Sequence, residues 1–286
     1  MVEQALPGQK SIVPGDLHNA AEGFQQNVMY DLNAFDALAR EQGIESYLFP
    51  PAKTAQRRAP AAYGGDFAPQ RVLTAYASGY FPWPDEEAPE DYPLLWWSPD
   101  PRCLLPLATW TPNRSLRKLL NRHPYHLSVD QGFAEVIAAC AQTRRDGLTT
   151  WITPAMRAAY KDLHHLGFAH SVEVWHDDQL VGGLYGIALQ GEAGLAFFGE
   201  SMFYRADGAS KVAFCYLIEL LRQGGAVLFD CQMPNDHLLL LGAEPISRAG
   251  YLNLLARCGF SRSTLQTPTT LSGQIERRPL GFPGGR

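Results

Sequence analysis

Asp230 and Gln232 stand two residues apart in the stretch LFDCQMPNDH, directly after the apolar run Ala226, Val227, Leu228 and Phe229. In a strand the side-chain period is two, so both polar groups are expected on one face, with Cys231 on the other. A carboxylate and a carboxamide placed in this way can act together on one substrate group. The run before them is apolar at every position, which suits a central strand covered on both sides. The pair then falls at the carboxyl end of that strand, where open α/β sheets place their ligand crevices. Asp beside Pro and Asn also caps turns, so catalysis and turn capping both stay open for Asp230.

A second group of residues carries charge. Arg114, Lys118 and Arg122 recur every four residues with Arg117 beside them, while Leu116, Leu119 and Leu120 turn the other way. At helical spacing the four cations share one face with no acidic i+4 partner, which fits a solvated face or an anion-binding one. Thr111 and Pro112 are expected to be the N-cap and first residue of that helix. His164, His165 and His170 have no acidic or cysteine partner at ligand spacing and read as structural.

The elements that must position these groups follow from periodicity and punctuation. Residues 1–60 mix Pro, Gly, Ala and Gln around one helix, Asn19 to Gln42, and read as an extension that is partly disordered or helical. Residues 61–102 hold a helix opened by Pro69 and stopped at Gly79, then the aromatic segments FPW and LLWWSPDPR, and form a small N-terminal domain. Residues 103–260 form the main domain. In it come the basic helix, a helix capped by Asp130, a helix opened by Thr153-Pro154, and a hairpin made of HSVEVW and LVGGLYGIAL around HDDQ. The strand GLAFFGESMFY, the apolar helix SKVAFCYLIELLRQ, the strand AVLFDCQ and two short helices complete it. The tail 261–286, rich in Ser, Thr, Gly and Pro, is expected to be disordered. The order is that of an α/β (α+β) protein with an acetyltransferase-like (GNAT) core. The loop RADGAS nearly matches the acetyltransferase pyrophosphate loop, with Ser210 in place of Gly or Ala.

Composition narrows the function classes. Hydrophobic residues at 46% and charged residues at 19% describe an ordinary globular chain. The apolar runs fall short of the roughly 20 residues that cross a bilayer, and no secretory leader opens the sequence, so a cytoplasmic location without membrane contact is expected. Five dispersed cysteines with no C-x-x-C pair exclude a zinc ribbon and a disulfide framework. The formal net charge of −5 speaks against wholesale nucleic-acid coating and leaves room for a local basic patch. No P-loop or metal-ligand cluster is present, so no cofactor and no metal are expected.

Taken in order, AYASGYFPW, LLWWSPDPR, TWIT, AHSVEVW, LVGGLYG, GESMF, ASK, DCQMPNDH and LGAEPISRAGYLN resemble the leucyl/phenylalanyl-tRNA-protein transferases from about Tyr63 to Leu255. The departures are the N-terminal extension, the linker PDEEAPEDYP, extra residues in LQGEAGLAFF, and Pro234. The resemblance implies transfer of Leu or Phe, and less well Met, from aminoacyl-tRNA (Leu-tRNA, Phe-tRNA) to proteins beginning with Arg or Lys, which marks them for N-degron proteolysis. It implies that Asp230, Gln232 and Glu200 are catalytic. It implies that Phe197, Met202 and Leu221 line the amino-acid pocket, that Trp83, Trp151 and Tyr160 contact the terminal adenosine, and that Asn235 joins the substrate site. Arg114, Arg117, Lys118 and Arg122 become the tRNA-binding face of a monomer. An N-acetyltransferase using acetyl-CoA and a non-catalytic tRNA-binding module are the rival readings.

Overall fold

The computed structural model describes residues 28–41, 47–84, 94–142 and 150–271. The chain divides into two compact units, Met1–Arg102 with Ile246–Asn253, and Cys103–Pro245 with Leu254–Arg286. In the first unit β1 (Tyr30–Asp31) runs straight into α1 (Leu32–Glu41), and β2 (Ala62–Tyr63), α2 (Pro69–Ala77), β3 (Phe81–Pro82) and β4 (Leu95–Trp97) follow. The strands form a small sheet in the order β1-β2-β4-β3. Pro69 opens α2, and Gly79 ends it with φ of 88°, a left-handed angle that glycine adopts without steric cost.

Residues 28–41, within the stretch expected to be partly disordered or helical, carry the helix α1. Leu32, Phe35 and Ala39 are buried, and Asp36 pairs with the buried guanidinium of Arg71, whose Nη2 lies 2.5 Å from Asp36 Oδ2. Of the expected helix from Asn19 to Gln42, Leu32–Glu41 is helical and Tyr30–Asp31 is strand instead, while 19–27 and Gln42 lie outside the described residues. The segment 246–253, assigned from sequence to the main domain, belongs to the first unit, where Arg248 donates to the carbonyls of Ala55, Gln56 and Ser98.

The second unit is built on β5 (Arg102–Leu104), α3 (Arg114–Leu120), β6 (His126–Val129), α4 (Phe133–Cys140), α5 (Pro154–His165), β7 (Ala169–His176), β8 (Gln179–Gln190), β9 (Leu195–Tyr204), α6 (Ala209–Gln223), β10 (Ala226–Asp230), α7 (Asp236–Leu240) and β11 (Glu244–Ile246), while α8 (Arg248–Ala256) belongs to the first unit as far as Asn253. Its sheet has the order β11-β5-β10-β9-β8-β7-β6. Strands β6 to β9 are antiparallel neighbours, whereas β10 lies parallel to β9 after the crossover through α6. The β7–β8 hairpin turns on Asp177 and Asp178, both left-handed at φ of 48° and 59°, the twist that two-residue hairpin loops favour. Helix α6 packs on the face holding Val172, Leu184, Ala188 and Phe197. Phe133 of α4 and Tyr160 of α5 meet the other face at Tyr185. This is a mixed α/β arrangement.

Four local readings are corrected. Asn113, not Thr111, caps α3, its side chain accepting from the Leu116 amide. Gly132 is the N-cap of α4, and Asp130 instead accepts from Ser171 N–H and sits 2.7 Å from His170 Nδ1. Thus His170 has an acidic partner that lies forty residues away. Val227 is 55% exposed, so β10 is covered on both sides only from Leu228 onward. The tail is ordered as far as Leu271: Thr264–Gln266 form a 3-10 turn, and Leu265, Thr269 and Leu271 are buried. The rest of the tail and most of the PDEEAPEDYP linker lie outside the described residues. No helix among the described residues is long and apolar enough to cross a membrane.

Candidate active site at the end of the central strand

Strand β10 stops at Asp230, and the chain then turns at Gln232, which has a φ of 64°. Few residues with a side chain hold that angle unless their surroundings fix it. Here Asp230 does so: its Oδ1 accepts the Gln232 amide N–H at 2.8 Å. Strand β5 grips the turn from its other edge, since Cys103 N–H donates to Gln232 O and Cys231 N–H donates to Cys103 O, both at 2.8 Å. The expected pair on one strand face is therefore corrected. Asp230 and Gln232 are joined through the backbone of a turn, because the extended conformation ends between them.

The Gln232 side chain reaches across to β9, where Nε2 donates to Glu200 Oε1 at 2.6 Å. Glu200 sits on a β-bulge: Tyr185 pairs with Ser201 and Gly186 with Gly199, which leaves Glu200 as the extra residue between them. The bulge turns its carboxylate toward α5, and Oε2 accepts the Tyr160 hydroxyl at 3.0 Å. Asp230 is fully buried and Gln232 is 5% exposed. With Nε2 committed to a carboxylate that can only accept, the carboxamide oxygen of Gln232 is the atom that can meet an N–H donor. The Asp230 carboxylate also reaches Cys103: burial first, then Asp230, pushes that thiol up to about 11. Cys140 is pushed up to about 12 by burial. Neither thiol is a nucleophile near neutral pH.

The other residues named from sequence fall in different places. Phe197 and Leu221 are fully buried in the core under α6, and Met202 packs partly buried against the same cluster. Tyr160 has no exposed surface, and its hydroxyl donates to Glu200 Oε2. Trp151 is partly buried just before α5. Trp83 belongs to the first unit, where its carbonyl accepts the Trp97 indole N–H. Asn235 is exposed and caps α7 through its own side chain. Arg114, Arg117, Lys118 and Arg122 are all exposed on or just after α3. Among the described residues no group of three or more His, Cys, Asp or Glu could hold a metal ion.

Residues 104–256 match the family described as leucyl/phenylalanyl-tRNA protein transferase, and residues 65–100 match the N-terminal domain of the same family. The chain is 50% identical over 225 residues to the leucyl/phenylalanyl-tRNA–protein transferase of Syntrophotalea carbinolica, covering 78% of this chain and 94% of that one. The chain belongs to the leucyl/phenylalanyl-tRNA protein transferase family. The Pseudomonas fluorescens member is likewise 50% identical, over 214 residues, covering 74% of this chain and 91% of its own. As a family member this chain is an aminoacyltransferase that acts between aminoacyl-tRNA and protein. An aminoglycoside acetyltransferase from an uncultured soil metagenomic sample also aligns, at 13% identity, a TM-score of 0.30, and coverage of 37% of this chain and 78% of that one, a likeness too slight to carry argument.

Proposed function

We propose that this transferase moves Leu, and also Phe and less well Met, from aminoacyl-tRNA to the α-amino group of proteins that begin with Arg or Lys, marking them for proteolysis. The observation that carries this reading is the Gln232–Glu200 hydrogen bond held over a turn fixed by Asp230. Aminolysis of an ester needs little more. The acceptor amine attacks the carbonyl that joins the amino acid to the tRNA ribose, a C–N bond forms, the C–O bond breaks, and the proton ends on the departing ribose oxygen. A carboxamide is a poor base, so the part given to Gln232 is to accept an amine N–H through its oxygen and aim the lone pair. Asp230 holds the turn that presents it. Glu200 orients the carboxamide and supplies negative charge for an ammonium of the donor or acceptor. Phe197, Met202 and Leu221 give the apolar surroundings for a Leu or Phe side chain. Trp151 offers a face to the terminal adenosine.

The acetyl-CoA reading places a pyrophosphate on the N–H groups that open α6. That helix start is packed against protein instead. A β-carbon on Gly208 would stand 2.6 Å from Leu119 Cδ2, one on Gly182 would stand 2.5 Å from Ala209 Cβ, and Tyr125 Oη donates to Asp207 O at 3.1 Å. Incubation with Leu-tRNA or acetyl-CoA and peptides beginning with Arg, Lys, Asp or Ala tests the proposal. Transfer from Leu-tRNA onto Arg and Lys peptides is expected, and transfer from acetyl-CoA alone, or onto Asp alone, would sink it.

The exposed cations of α3 are assigned to tRNA phosphates. Neutralising one of Arg114, Lys118 or Arg122 is expected to weaken all tRNAs alike and to flatten the plot of log affinity against log salt by about 0.9. An unchanged slope returns this face to solvation, and a loss confined to one tRNA species points to sequence readout.

A further inference from the structure

Strand β10 covers only the first part of its neighbour. Its last pairing sets Asp230 beside Phe198, whereas β9 runs on to Tyr204. Along that second stretch β9 is held on one side by β8, where Tyr185, Leu184, Gly183 and Gly182 pair with Ser201, Met202, Phe203 and Tyr204. Arg205 N–H donates to Val181 O on β8 at 2.7 Å. Main-chain groups alternate in direction along an antiparallel pair, so Phe203 and Ser201 also turn theirs to β8, while Tyr204 and Met202 turn theirs outward. Among the described residues these outward N–H and C=O groups have no hydrogen-bond partner. Tyr204 is 56% exposed, and the Met202 side chain packs against the α6 cluster rather than over the edge. An unpaired strand edge is a template for another extended chain. This one begins where β10 stops, beside the Gln232–Glu200 hydrogen bond.

We infer that the open edge of β9 at Met202 and Tyr204 holds the opening residues of the acceptor protein as an added strand, parallel to β9, with the α-amine at Gln232. The inference rests on the transferase reading proposed above and names how that reaction holds its acceptor. Of the two substrates only a polypeptide carries the repeating N–H and C=O groups that match this edge, and main-chain bonds are indifferent to side chains. Such indifference suits an enzyme whose acceptors share only their first residue. Direction follows from the ends: the amine belongs at Gln232, beside Glu200, and β9 runs from Glu200 toward Tyr204, so the acceptor runs the same way. In that pairing the C=O of the first residue accepts the Met202 N–H. The third residue donates its N–H to Met202 O and accepts the Tyr204 N–H through its C=O, and the second and fourth residues turn their N–H groups away. The Gln232–Glu200 bond stays intact throughout.

Single N-methyl groups placed along peptides that begin with Arg test the pairing, with the wild-type chain and Leu-tRNA as donor. N-methylation of the third residue is expected to raise the peptide KM about tenfold with kcat retained, the scale of one hydrogen bond, and that of the second or fourth less than about twofold. Tyr204→Pro removes the outward N–H and spares the ladder to β8, a placement that edge strands tolerate. It should raise the peptide KM about tenfold with Leu-tRNA affinity and melting temperature retained, and Tyr204→Ala, which keeps the N–H, should raise it several-fold less. Equal N-methyl effects at every position, or none, overturn the inference, as does a Tyr204→Pro chain no worse than Tyr204→Ala. Weakened Leu-tRNA binding in Tyr204→Pro assigns the edge to the donor and overturns it too. Should Tyr204→Pro not fold, the peptide scan on the wild-type chain decides alone. A wild-type chain that transfers nothing from Leu-tRNA to the unmodified peptide takes the transferase reading down with it.

Discussion

Asp230→Asn and Gln232→Ala are each expected to slow single-turnover transfer by about 10²-fold or more, with aminoacyl-tRNA affinity little changed. The geometry separates what each variant removes. Gln232→Ala deletes the group that bonds Glu200 at 2.6 Å and with it the oxygen offered to the amine. Asp230→Asn keeps an oxygen that can accept the Gln232 N–H at 2.8 Å and removes only the charge. A charged acceptor makes that bond roughly twice as strong as a neutral one, and Gln232 needs a firm anchor at φ of 64°. Because one residue holds the backbone of the other, their effects belong to a unit, and the double variant should be little slower than the worse single one. Near-normal rates in both single variants, or losses that multiply in full, would reduce the strand end to a capped turn. Asp230→Asn near normal beside a slow Asp230→Ala would assign Asp230 to anchoring without charge.

Most of the second unit was legible because its signals are local. Alternation and turn residues gave the β7–β8 hairpin, and the nearly all-apolar run from Ala209 to Gln223 gave the buried α6. The DCQ stretch could be placed at a strand end for the same reason. What escaped depends on partners far apart in sequence. Asp130 has the sequence look of a helix cap, and only the pairing of β6 with β7 brings it to His170. A bulge breaks no pattern in composition, so GESMF reads as regular strand although Glu200 is turned toward Tyr160 by the extra residue. The turn at Gln232 was hidden because Asp followed by Cys and Gln suits a strand as well as a left-handed turn fixed by β5. The return of residues 246–253 to the first unit was hidden too, since SRAGYLN reads as an ordinary short helix.

Arg248→Ala is expected to destabilise the first unit by about 3–5 kcal/mol, the scale of removing one member of a buried polar cluster. Arg248 is 8% exposed, and its guanidinium Nη1 donates to Gln56 O at 3.0 Å and Ser98 O at 2.6 Å while Nη2 donates to Ala55 O at 2.6 Å. Its backbone N–H also meets Asp100 Oδ1 at 3.2 Å. Truncation leaves carbonyls from two separate loops without their donor, and each unmet buried acceptor costs about 1–3 kcal/mol. Arg102 gives a second tie to this segment, lying over the rings of Phe81 and Tyr251 at 4.6 and 4.5 Å. Arg248→Lys should recover only part of the loss, because an ammonium on a flexible stem cannot fork to the same three oxygens. Hydrogen exchange supplies the decisive reading: amides in 47–83 and 94–102 should exchange faster in Arg248→Ala, while those in 169–204 keep their protection. Unchanged exchange in the first unit, or equal acceleration in both, would show that Arg248 does not hold the segment in place.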